Sequence, residues 1–214
     1  MAAVLVWSAL AAQLYILVHG FIAEGRGVFQ AIVTFLSFFT VLTNLLVAIA
    51  FTAAALGRNR RGLFSRSTIW GGIAASILLV GITYSLALRH IWNPQGLQKF
   101  ADVVMHDVSP ILFLVFWWIW APKTGMRWID PLLWVIYPLL YLLYSLIRGA
   151  IVGRYPYPFI DLNQLSYPRT ATNVGVVLIV FWALGYVLVG LARLRSPSRG
   201  LEADDLRVET LEKT

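Results

Sequence analysis

Six runs of about twenty residues, each carrying almost no charge, constrain this 214-residue chain more than anything else in it. They fall near residues 2–23, 28–56, 68–88, 103–121, 129–152 and 171–194. A helix needs about 20 apolar residues to cross bilayer hydrocarbon. Backbone immersed there must satisfy its own hydrogen bonds, which leaves helices or a closed barrel. The runs are continuous and do not alternate, so a transmembrane β-barrel is excluded. Composition agrees, with 59% hydrophobic and 13% charged residues, against roughly 25% charged in soluble domains. The expected architecture is all-α: a polytopic six-transmembrane-helix bundle over residues 1–195, then a polar tail over 196–214. The first run has no Lys or Arg before it and is longer than a signal-peptide core, so it reads as a retained span.

Basic residues lie mostly between the runs. With six spans, one side holds Arg58, Arg60, Arg61, Arg66, Lys123, Arg127, Arg193, Arg195, Arg199 and the tail, eleven Lys and Arg in all. The other side holds six: Arg26, Arg89, Lys99, Arg148, Arg154 and Arg169. The excess predicts that both termini are cytoplasmic. Trp117, Trp118, Trp120 and Trp128 flank the loop between spans four and five, as an interfacial belt. Charge spread this way fits topology rather than a nucleic-acid patch. The chain has no Cys, which removes thiolate metal sites and cysteine nucleophiles. Three scattered histidines make no metal motif and no haem pair. His19 and His90 read as interfacial, and no cofactor is implied.

Polar groups inside hydrocarbon ask for a partner or a function. Span two contains TFLSFFTVLTN. At 100° per residue, Thr34, Ser37, Thr40 and Asn44 share one face of a continuous helix, with Thr43 at its margin. Helix packing is one explanation, since Ser and Thr bond back along helices or bridge them. Asn44 demands more, because its amide has four bonding sites to fill. Span four opens ADVVMHDVSP. Pro110 deprives the His106 carbonyl of its helical donor. His106 beside a carboxylate can act as a base near neutral pH, although the adjacent Asp107 points elsewhere on a helix. Counted along straight helices at 1.5 Å per residue, Ser37 lies ~14 Å into its span and His106 ~6 Å into its own, with Thr34 nearer in depth. In span five, Tyr137, Tyr141, Tyr144, Ser145 and Arg148 form a polar stripe. Its guanidinium either receives a carboxylate headgroup or snorkels to lipid phosphates. The outer segment RYPYPFIDLNQLSYPRT, with Tyr157, reads as an ordered cap.

The six-span plan, FLSFFTVLTN in span two, MHDVSP in span four and the YPYPFID cap together resemble the androgen-induced-gene family of membrane proteins, which has bacterial relatives. The resemblance implies residence in the cytoplasmic membrane of a bacterium. It also implies an intramembrane serine/threonine-type hydrolase of lipid esters, acting as the family does on fatty acid esters of hydroxy fatty acids. Carried over by position, Ser37 falls where the family has its nucleophilic Thr, and His106 where it has its base. Thr40 is the alternative nucleophile. Asn44 or a backbone N–H is then expected at the oxyanion, with Arg148, Tyr141 or Tyr157 around the substrate. The family's pattern has its His-to-Pro spacing one residue longer. The competing expectation is a non-enzymatic membrane protein that binds lipid or a protein partner through the same pocket. Transport ranks below both, since broken spans are not evident beyond Pro138.

Overall fold

The computed structural model describes residues 1–58 and 62–195. Arg60, Arg61, Arg199 and the tail over 196–214 lie outside the described residues. Those described are helical, without strands. α1 is Ala2–Ala23, α2 Val28–Phe35, α3 Phe39–Ala55, α4 Ser67–Leu88, α5 Gly96–Trp120, α6 Asp130–Val152 and α7 Tyr167–Arg195. Five of these helices are long and apolar enough to cross a membrane, or six spans if α2 and α3 together count as one.

That pair is the first departure from the sequence reading. Span two is not one helix: α2 and α3 meet at 79°. No Gly or Pro stands at the break. Ser37 instead turns its Oγ–H onto the Thr34 carbonyl at 2.6 Å. The backbone N–H of Ser37 bonds the same carbonyl at 3.1 Å, and Phe38 is extended. This is local side-chain competition for backbone groups. The break corrects two expectations. The four-residue polar face does not run across it, and depth counted along a straight helix does not apply.

Two further helices are longer than expected. α5 starts at Gly96 rather than near Val103, so Gln98 and Asp102 are helical. α7 starts at Tyr167, with Pro168 in its first turn, where a missing N–H costs nothing. Two spans also contain a π-turn, at Tyr84–Leu88 in α4 and Val104–Val108 in α5. Such widened turns recur at functional sites.

α4 stands centrally, against α3, α5 and α7, while α1 packs on α2, α3 and the start of α5. Lipid is as apolar as a helix surface, so spans associate through close packing rather than solvent exclusion. Buried Ala9, Ala12, Ala48, Ala74 and Ala75 permit it. Gly81 permits a close approach of α4 to α5: a Cβ there would lie 3.2 Å from both the His106 carbonyl and the Pro110 ring. Fully buried Trp70 and Phe113 stack at 6.0 Å in the core. Trp117 belongs to that core too, at 0% exposure, whereas Trp118, Trp120 and Trp128 are exposed as a belt requires.

The basic segments gather at one end of the bundle. Ser67 donates to the Thr124 carbonyl at 3.0 Å, Arg193 lies 5.5 Å over the Trp128 ring, and Arg195 donates to the Trp118 carbonyl. At the opposite end the segment after α6 folds into an ordered cap. Its Tyr157 ring stacks on Phe159 at 5.2 Å, and Asn173 ties the Phe159 carbonyl down at 2.9 Å.

Candidate active site

Under the cap lies a cavity of about 410 Å³ whose walls include Thr40, Tyr84, Asp102, His106 and Tyr157. These five residues come from three helices and one loop, and local chemistry fixes each contribution.

Thr40 sits in the first turn of α3, immediately after the break. The first N–H groups of a helix have no intrahelical acceptor. Here Leu42 is the first residue to bond back, to the Phe38 carbonyl. The N–H groups of Phe39, Thr40 and Val41 are therefore left to other partners. Tyr157 meets one, accepting from the Thr40 N–H at 3.3 Å, and its hydroxyl lies 3.4 Å from Thr40 Oγ1. Burial pushes the Tyr157 hydroxyl above its ordinary range, so it remains a neutral O–H.

Asn44 lies one turn below Thr40. Its Nδ2 donates to the Thr40 carbonyl at 2.9 Å and to the Met105 carbonyl at 3.1 Å. The amide thus joins the turn that carries Thr40 to the π-turn that carries His106. Asn44 is fully buried and does not line the cavity.

His106 and Asp102 are one turn apart on α5. Nδ1 of His106 lies 2.9 Å from the Asp102 carbonyl and 3.2 Å from its Oδ1. The other carboxylate oxygen, Oδ2, accepts a short hydrogen bond from the Tyr84 hydroxyl. The Tyr84 ring stacks on the imidazole with centroids 4.0 Å apart and planes 16° apart. Two π-turns thus bring an imidazole, a carboxylate and a phenol together. With Nδ1–H facing the carboxylate, Nε2 carries the lone pair. Nε2 makes no hydrogen bond among the described residues. Asp107 is elsewhere, paired with Arg89.

The remaining expected residues separate. Ser37 is 2% exposed and bonded to Thr34, and it does not line the cavity. Tyr141 donates to the Ser37 carbonyl at 2.9 Å and lines a second, apolar slot of about 80 Å³, which also reaches Thr40 and Tyr157. Arg148 turns to the Arg154 carbonyl at 3.4 Å and lines neither space. Thr43 meets the Tyr137 hydroxyl at 3.1 Å, a packing contact. The described residues hold no group of three or more His, Cys, Asp or Glu able to bind a metal. Asp102 and Tyr84 escaped the sequence reading. The Asp–x–x–x–His spacing is the signal for Asp102, and it has meaning only on a helix that begins at Gly96 rather than near Val103. For Tyr84 the sequence offered none.

The fold and cavity define a class: an all-α protein with membrane-length helices and a hydroxyl, an imidazole and a carboxylate lining one chamber. In comparisons with known proteins, no family model, no curated protein and no solved structure matches the chain.

Proposed function

We propose that this chain is an intramembrane hydrolase of lipid esters, with Thr40 as nucleophile and His106 as base. The observation that carries the reading is the shared cavity: Thr40 and His106 line it together, and Asp102 holds Nδ1 of the imidazole. A hydroxyl nucleophile needs a base, and the base needs a third group to orient it. Ser37, the residue that the family resemblance favours, has its hydroxyl committed to ending α2.

Thr40 Oγ1 attacks the ester carbonyl, and its proton passes to Nε2 of His106. The oxyanion forms beside the N–H groups of the first turn of α3, whose dipole favours negative charge. Collapse expels the alcohol, which takes the proton back from His106. Water, deprotonated by the same nitrogen, then attacks the acyl-threonine, and the imidazolium returns that proton to Thr40 Oγ1 as the fatty acid leaves. Asn44 is a positioning residue, holding the two reacting turns in register. The apolar slot beside Thr40 takes the acyl carbons next to the ester. By the positive-inside rule the basic end of the bundle is cytoplasmic, which sets the cavity toward the outer face.

One observation favours the second reading, a lipid-binding protein without catalysis: Thr40 Oγ1 lies against Tyr157 rather than against the imidazole. Turnover of a long-chain ester in nanodiscs separates the two. The hydrolase reading expects wild-type and Thr40→Ser protein to be active, and Thr40→Ala and His106→Ala to be inactive though folded. A binder leaves all four equally inactive.

A further inference from the structure

Gln13 stands midway along α1, a 22-residue helix with no charged side chain. A carboxamide in hydrocarbon needs a partner. It finds one in Gln98 of α5, whose Nε2 donates to Gln13 Oε1 at 2.7 Å. Both side chains line the cavity that holds Thr40 and His106. The pair is not saturated. The Gln13 amide N–H groups and the Gln98 carbonyl oxygen make no other hydrogen bond among the described residues, so donors and an acceptor remain available side by side.

The charge of the chamber is equally specific. Its walls carry the Asp102 carboxylate but no Lys or Arg. Arg89 is bound to Asp107 and Ser85, and Arg148 to the Arg154 carbonyl. A ligand carboxylate entering here would meet a like charge and no Lys or Arg of the wall to replace its water, since Arg89, 4.8 Å from the Tyr84 ring, lies outside the wall, so its burial is costly.

We infer that the cavity selects esters with an uncharged, hydroxylated head, of the monoacylglycerol kind, and discriminates against esters bearing a free carboxylate, with Gln13 and Gln98 as the selecting residues. The acyl carbons next to the ester occupy the apolar slot beside Thr40, and the head's hydroxyls bond to the two carboxamides. This rests on the ester-hydrolase reading for its chemistry, but the recognition is separable from it.

The test therefore begins with binding. Purified full-length Thr40→Ala protein in detergent is titrated with a 1-O-alkylglycerol, which has no ester to cleave, and with a fatty acid of equal chain length at pH 8. Quenching of tryptophan fluorescence gives the signal, since Trp92 is part of the cavity wall. The expected result is at least tenfold tighter binding of the alkylglycerol. Gln13→Leu and Gln98→Leu, each checked for an unchanged melting temperature, should bring the two ligands within threefold. Gln98→Lys, which supplies the missing cation, should favour the acid. Equal or tighter binding of the acid by Thr40→Ala protein overturns the inference, as does discrimination untouched in all three glutamine variants. Wild-type turnover is then measured on an ester of a hydroxy fatty acid and on its methyl-capped form. Faster cleavage of the capped form supports the inference, and faster cleavage of the free acid contradicts it. Discriminating binding without any turnover leaves the selection standing and removes only the hydrolase reading.

Discussion

Asp102 and His106 are one turn apart on α5, and the carboxylate Oδ1 lies 3.2 Å from the imidazole Nδ1. With Nδ1–H on the carboxylate, Nε2 is the basic nitrogen of a residue that lines the cavity. Asp102→Asn keeps the shape and offers the ring an amide in place of a carboxylate. Turnover is expected to fall up to about 10⁴-fold, as when the acid of a catalytic triad is neutralised, with kcat changing more than KM. Steady-state kinetics on a lipid ester checks this.

Tyr84 supports the same carboxylate from the other side. Tyr84→Phe keeps the ring that stacks on His106 but removes the O–H donated to Asp102. A hydrogen bond to a charged group contributes about 1.5–3 kcal/mol. The expected result is a lowered melting temperature together with a turnover loss smaller than that of Asp102→Asn. A thermal-shift assay alongside the kinetics separates the two effects.

Asn44 bonds to two carbonyls on different helices, those of Thr40 and Met105. Asn44→Leu removes both side-chain bonds and leaves the buried Met105 carbonyl without this donor, at a cost of about 1–3 kcal/mol for a group left unsatisfied. Because the side chain lies outside the cavity, KM should change little while kcat and stability fall together. Asn44→Asp presents oxygen to oxygen at both places and should be worse than Asn44→Leu. Melting temperatures of the two variants test the order.

The Tyr157 hydroxyl is held above its ordinary value of 10.0 by burial. Its folded form therefore prefers the neutral state. That preference contributes stability in full below pH 10, the ordinary value, and the contribution is lost as pH rises from there through the folded-state value. Melting temperature should thus drop on the alkaline side, and Tyr157→Phe should drop less steeply over the same range. Scans from pH 8 upward, in steps of half a unit, give the comparison.

Apolar run length made the membrane helices readable, since hydrocarbon allows so few backbone arrangements. The site was readable only in part. His106 and Thr40 stood out as polar groups in apolar segments, and both line the cavity. Ser37 stood out for the same reason, yet its hydroxyl ends a helix. The break there has no Gly or Pro to announce it, and the Ser37 carbonyl it frees is met by Tyr141, which is distant in sequence. Helical-wheel arithmetic assumes an unbroken axis and fails across such a point. The two π-turns shift phase in the same silent way. Tyr84 and Asp102 meet across α4 and α5, which also pack closely at Gly81, a tertiary relation that no local pattern encodes.

The most direct measurement is the position of a covalent adduct. Wild-type protein treated with a lipid-like fluorophosphonate, then digested and sequenced by tandem mass spectrometry, should carry the label on Thr40. The label should disappear in His106→Ala and persist in Ser37→Ala. A label on Ser37, or lipid-ester turnover that survives in Thr40→Ala, contradicts the account.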